Sequence, residues 1–209
     1  MTAPPTIAIA AADLGAEASY RLLTGLVVPR PIAWVTTLGP GGRVNLAPFS
    51  HFTFVSPKPP MLAISVGQKA GVYKDTARNI MAHEEFVVHI ADRPLIREVH
   101  ESAVEHPPEV SEADLLGLAV TPGRDVAVPR LTIAPVAMEC RLRHVMEFGE
   151  TRSRLMVGEV LSFHLREGLL TDGKVETRKL DPICRLAGPN YATLGEIVTM
   201  AAIHQTSKS

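Results

Sequence analysis

The chain has 209 residues, enough for one domain with a sizeable core. Lysine plus arginine number 21 against 22 aspartate plus glutamate, a net charge of −1, which leaves no electrostatic footprint for nucleic acid and no basic run for a membrane surface. Apolar residues make up 46%, yet no apolar stretch approaches the roughly 18 residues needed to span a bilayer, so the surplus apolar surface predicts a core plus a subunit interface, and with it a homodimer.

No lysine or arginine precedes Arg21, and Asp13 and Glu17 interrupt the apolar start, so no secretory signal is read there. Cys140 and Cys184 are isolated and form no CxxC pair, and the expected compartment is cytoplasmic. With no repeat, low-complexity tract or polar linker, residues 20–200 read as a single domain. Residues 1–19 read as an N-terminal extension and 201–209 as a tail or an arm onto a partner.

Ile32–Leu38 is β-branched and aromatic, and the Gly39-Pro40-Gly41-Gly42 cluster after it is a turn. Arg43–Pro48 and Phe49–Val55 read as a second strand that bends at Pro48, because proline breaks a ladder there. A loop over Ser56–Pro60 leads to a buried strand, Met61–Val66. The helix expected over Lys74–Ala82 has Asp75 and Thr76 as capping residues and an apolar side at Ile80 and Met81. Glu85–Ala91 returns to a strand, and residues 93–117 hold two helical pieces, the second opened by Ser111 with Asp114 three residues on. Leu131–Phe148 and Ser153–Leu165 are long strands. Many short antiparallel strands with a few inserted helices predict a mainly β chain, a small barrel rather than a βαβ fold.

Two segments carry chemistry. Asn45-Leu46-Ala47-Pro48-Phe49-Ser50 sets an amide, a hydroxyl and a kinked backbone in an apolar run. That suits a wall against the pyrimidine edge of a flavin, or a strand bulge whose Asn and Ser satisfy their own backbone. Lys74-Asp75-Thr76-Ala77-Arg78-Asn79 opens a helix, with Ser65 at the end of the preceding strand. A helix N-terminus, a cation and two hydroxyls together suit a phosphate; the same residues also make an ordinary capped surface helix. The spacing of the two segments, joined by one buried strand, matches the length of a mononucleotide.

Together, Arg30-Pro31-Ile32-Ala33-Trp34-Val35-Thr36-Thr37, then Gly42-x-x-Asn45-Leu46-Ala47-Pro48-Phe49-Ser50, Pro59-Pro60 and Lys74-Asp75-Thr76-x-x-Asn79-Ile80 resemble the flavin reductase-like, FMN-binding split-barrel family. The resemblance covers roughly residues 20–200 and is most specific over 29–91. It implies a split β-barrel of Greek-key type, a homodimer and FMN bound near the dimer interface. Carried over by position, Asn45, Ala47, Pro48 and Ser50 would line the isoalloxazine, with Thr36 and Thr37 on the neighbouring strand, and Ser65, Lys74 and Thr76 would hold the phosphate. The stretch from Arg185 through Leu186-Ala187-Gly188-Pro189-Asn190-Tyr191 resembles the family's C-terminal closing segment. One departure stands out: where many such reductases carry Gly-Asp-His, this chain reads Gly149-Glu150-Thr151-Arg152.

The implied activity is an oxidoreductase, an NAD(P)H-dependent flavin reductase that passes hydride from NADH or NADPH to FMN and on to an acceptor, with an electron-accepting partner protein allowed. The flavin accepts the hydride, so no side chain is assigned a catalytic role. The absence of Gly-x-Gly-x-x-Gly fits a shallow nicotinamide site. The missing histidine keeps open an FMN-binding electron carrier without its own NAD(P)H turnover. None of the eight histidines forms a metal signature, and His100-x5-His106 reads as a loop feature, so no metal site is expected. Ala63-Ile64-Ser65-Val66-Gly67 approaches a nucleophile elbow, but the convincing helix starts only near Lys74. A pyridoxamine-phosphate-oxidase-like enzyme on the same barrel has no support in the second half of the chain.

Overall fold

The computed structural model describes residues 4–201. Seven strands form one antiparallel sheet: β1 (Ala33–Leu38), β2 (Val44–Phe49), β3 (Phe52–Pro57), β4 (Pro60–Val66), β5 (Glu85–Ile90), β6 (Val136–Phe148) and β7 (Ser153–Leu165), in the spatial order β2-β1-β5-β6-β7-β4-β3. β6 and β7 are the longest pair, from Val136 opposite Leu165 to Phe148 opposite Ser153. The connection from β4 to β5 passes over the β6–β7 hairpin, a Greek-key crossover.

The edge strands β2 and β3 lie at opposite ends of this order, yet only Ser50 and His51 separate them. Three Cα steps cover at most about 11 Å, so the sheet must curl until its two edges approach. No ladder joins β2 to β3, and the seam stays open: this is a split barrel. The chain bends at Ser50–His51, two residues beyond the expected Pro48. Pro48 lies inside β2 opposite Trp34. A strand on the sheet edge has one side free of ladder bonds, which is where proline is tolerated.

Side chains alternate across β1. Ala33 and Val35 enter the barrel core with Phe49, Ile64, Phe86, Val88 and Met156. Trp34 points outward into a second cluster with Leu46, Leu95, Val99 and Leu131, its indole N–H donating to the Ser102 hydroxyl at 2.9 Å. Gly158 on β7 leaves room for the Phe86 ring.

The first helix, α1 (Ala16–Leu26), was not anticipated; it leaves Tyr20, Leu23 and Leu26 exposed. α2 (Asp75–His83) lies on β1 and β2, burying Ala77 and Ile80 in the barrel core. α3 (Ile96–Glu101) and α4 (Glu112–Leu115) cover the outward cluster. Ser111 accepts from the Asp114 N–H at 3.2 Å, the cap expected from sequence. The strand expected from Leu131 starts at Val136, because Leu131 pairs instead with Val120 in a two-residue ladder. From residue 202 onward the expected tail lies outside the described residues.

Candidate functional site

β2 forms one wall of a cleft, and the start of α2 faces it. Asn45 Nδ2 donates to Thr76 Oγ1 at 3.0 Å, and Asn79 Nδ2 donates to Thr37 Oγ1 at 3.0 Å. These two bonds seat the helix on the sheet and fix where its N-terminus points. Asp75 and Thr76 do not cap the helix as expected. Lys74 takes the N-cap position with no side-chain bond, Asp75 ion-pairs with Arg78, and the Thr76 hydroxyl is occupied by Asn45. The N–H groups of Asp75 and Thr76 therefore have no acceptor among the described residues, and they sit at the positive end of the helix dipole.

The cleft has two adjoining chambers. The first, of about 430 Å³, is walled by Asn45, Ala47 and Pro48 on the strand side and by Lys74, Thr76 and Arg78 on the helix side. Lys69 and Tyr73 close it from a short hairpin, and Ala103, Glu105 and His106 from the loop after α3. The second, of about 400 Å³, has Ser50, Arg30, Arg185 and Tyr191 in its lining. Pro48, Lys74 and Ala103 border both.

Of the residues expected to bind a cofactor, Asn45, Ala47, Pro48, Lys74 and Thr76 converge on the first chamber, and Ser50 opens onto the second. Thr36, Thr37 and Ser65 line neither chamber. Thr36 and Thr37 are fully buried, with Thr36 donating to the Pro129 carbonyl at 2.8 Å and Thr37 accepting from Asn79. Ser65 sits in β4 opposite Leu155, its N–H held by the His51 carbonyl at 2.8 Å. The next helix begins ten residues after Ser65, so no nucleophile elbow forms. Among the described residues no cluster of three or more His, Cys, Asp or Glu is placed to hold a metal.

Several side chains at the cleft carried no local sequence signal. Glu105 hydrogen-bonds Lys69 and lies 3.6 Å from Lys74, and these lysines hold its carboxyl below the usual range, the Lys69 bond foremost. Glu112 of α4 accepts from the Leu46 N–H at 2.9 Å, occupying an outward donor of edge strand β2 and bracing the wall that carries Asn45 and Ala47. Gly149–Arg152 is the tight turn of the β6–β7 hairpin, with the Arg152 N–H bonded to the Gly149 carbonyl. It meets the rim of the cleft: the Tyr73 hydroxyl bonds Glu147 at 2.6 Å, and the Arg154 guanidinium lies 3.6 Å from the Tyr73 ring centroid.

This arrangement suits a mononucleotide with an acidic end. A free N–H pair with two lysines beside it has the chemistry to receive a phosphate, and a chamber of this volume with a small-residue wall has room for a flat ring. Comparison with known proteins agrees. The sequence model of the family described as "Flavin reductase like domain" matches residues 25–179. The chain is similar to the uncharacterized protein YwrF of Bacillus subtilis, 43% identical over 90% of this chain and 95% of that one. Among solved structures, nitrilotriacetate monooxygenase component B from Bacillus cereus superposes with a TM-score of 0.91 at 38% identity, over 95% of this chain and 100% of that one. The 2-nitrobenzoate 2-nitroreductase NbaA from Pseudomonas fluorescens superposes with a TM-score of 0.85 at 34% identity, over 94% and 96%.

Proposed function

Because the chain belongs to the flavin reductase like domain family, we propose that it binds FMN in the first chamber and works as an NAD(P)H-dependent flavin reductase. The observation that carries this reading is the start of α2, where two unpartnered backbone N–H groups and Lys74 face the Asn45–Pro48 wall across one chamber. Lys69, Lys74 and the Asp75 and Thr76 N–H groups hold the phosphate. Ala47 and Pro48 give the ring a flat backbone surface, and Asn45, fixed by Thr76, presents its amide carbonyl to the ring edge. When bound, FMN supplies the hydride-accepting centre, so the protein's part is position and polarity. Like its neighbours, which include a nitroreductase and a monooxygenase component, the chain is read as an oxidoreductase.

A second copy completes the assembly in this reading. Leu23 and Leu26 of α1, Val27 at its C-cap, and Phe54 and Val55 on edge strand β3 present apolar surface to solvent in the single chain. Among the described residues no helix is long and apolar enough to cross a membrane.

The test is a pair of measurements on the purified protein: FMN binding by quenching of flavin fluorescence, and steady-state oxidation of NADH and NADPH with FMN present. Tight binding with turnover of either nucleotide is expected. Binding without turnover would favour the electron carrier, a reading supported by the turn at Gly149–Arg152, which brings no histidine to the rim. No binding would remove both.

A further inference from the structure

The second chamber holds positive charge that the chain itself does not neutralise. Arg30 is only 7% exposed and lines it. Its guanidinium donates to the carbonyls of Thr24, Val27 and Leu186 and to the Ser50 hydroxyl. Those are four of the five N–H bonds a guanidinium carries, every acceptor is neutral, and one Nη2 hydrogen is left over. Arg185 reaches the same chamber with its guanidinium 4.6 Å from the Tyr191 ring centroid, donating to that hydroxyl. Among the described residues neither arginine has a carboxylate within ion-pair distance, and no aspartate or glutamate lines the chamber. The charge is felt nearby: His51 is harder to protonate than an ordinary histidine, through burial first and the Arg30 charge second.

A buried guanidinium that is hydrogen-bonded only to neutral acceptors lacks a counter-charge, so a guest that brings a negative charge is favoured there. Around the two forks the walls carry Tyr20, Tyr191, Ile32 and Pro48, with the polar side chains of Thr24, Ser50 and Lys74 beside them. In the flavin reading the phosphate of a mononucleotide sits at the start of α2, on the far side of Pro48, with Lys74 on the border between the two chambers. The remaining guest is a small molecule that is anionic at one end and flat and apolar at the other.

We propose that the second chamber binds a small aromatic carboxylate, its carboxylate held by Arg185 and the free N–H of Arg30 and its ring set against Tyr191, Ile32 and Pro48. The site adjoins the flavin chamber and rests on the flavin reading only in that this reading leaves the second chamber free. Arg30 also ties α1, the Ser50 link and the C-terminal segment together, so Arg185 is the residue to change.

The experiment is isothermal titration of the full chain, with and without saturating FMN, using benzoate, its neutral isostere benzamide, and inorganic phosphate. Benzoate is expected to bind at least tenfold more tightly than either comparison ligand in both forms. Arg185→Gln is expected to lose at least tenfold in benzoate affinity, with Arg185→Lys intermediate, while its FMN affinity and melting temperature stay within twofold and 2 °C of wild type. Equal or absent binding of benzoate and benzamide would overturn the proposal, as would phosphate binding as well as benzoate. Loss of FMN affinity in parallel with benzoate affinity would overturn it too, by assigning the chamber to the cofactor. Benzoate binding without FMN binding would sink the flavin reading and keep this one; FMN binding without benzoate binding would do the reverse.

Discussion

Asn45 and Thr76 meet at 3.0 Å, amide nitrogen to hydroxyl oxygen, and so couple the edge of the sheet to the first turn of α2. Thr76 is 1% exposed, so its hydroxyl has no water to fall back on. Asn45→Ala is expected to cost about 1–2 kcal/mol, the usual penalty for orphaning a buried polar group, and to weaken FMN binding at least tenfold. Lys74→Ala separates the two effects, because the Lys74 side chain is 44% exposed. Its stability should stay within about 0.5 kcal/mol of wild type while FMN affinity falls about tenfold. Denaturant unfolding beside fluorescence titration checks both, and equal loss of folding and binding in Lys74→Ala would mean a plain docked helix.

Glu105 competes for the cations that a phosphate needs, since it engages both Lys69 and Lys74. Glu105→Gln is expected to tighten FMN binding several-fold. The gain should be larger at low ionic strength, where the lysines are less screened. Titrations at two salt concentrations test this, and weaker binding in the variant would show that Glu105 organises the lysines instead.

His89 sets an acid limit on the fold. It is fully buried, its Nδ1 donating to the Trp34 carbonyl at 2.8 Å and its Nε2 accepting from the Leu131 N–H at 2.9 Å. Burial, with smaller contributions from the charges of Arg130 and His164, pushes its pKa from 6.5 down to about 4. The unfolded chain therefore binds this proton first as pH falls, and stability drops between about pH 6.5 and 4, by roughly 3 kcal/mol in all. Above pH 6.5 the ring is neutral in both states and contributes no slope. Melting curves from pH 7 to 4.5 should show the decline, and His89→Gln should lose one proton's worth of it.

Gly158 is a packing requirement. A methyl group there would overlap the Phe86 ring and stand 3.3 Å from the Cys140 Cβ. Gly158→Ala is expected to destabilise by about 1–3 kcal/mol, as overpacking does, with partial recovery when Phe86→Leu is added. Unfolding midpoints of the single and double variants measure it.

The strands were legible because their chemistry is local. Alternation along Ala33–Leu38 and the long apolar rhythm of Ser153–Leu165 each report a face and a partner. The cleft was legible in part for the same reason: Asn45, Ala47, Pro48, Lys74 and Thr76 stand on two short segments, β2 and the start of α2, with β3, β4 and a short hairpin between them. What escaped depends on contacts far apart in sequence. Arg30 takes its acceptors from Thr24, Val27, Ser50 and Leu186, the last 156 residues away. No spacing rule finds such a set. Thr36 and Thr37 entered the expected site through the family resemblance alone, and the contacts that engage their hydroxyls, the Pro129 carbonyl and the Asn79 amide, are distant in sequence. The bend moved from Pro48 to Ser50 because an edge strand tolerates a missing N–H.

The Ser50–His51 link makes the seam of the barrel and the wall of the cleft one continuous backbone. Breathing of the barrel along that seam must carry Ala47 and Pro48 away from α2, and Ser50 away from Arg30. A guest held in either chamber therefore acts as a clasp on the fold, lowering the population of the opened form in proportion to its own affinity. Amide exchange at Ser50–Thr53 is expected to slow on ligand addition more than exchange in the β6–β7 hairpin, so the weakest line of the barrel doubles as its most sensitive reporter of occupancy.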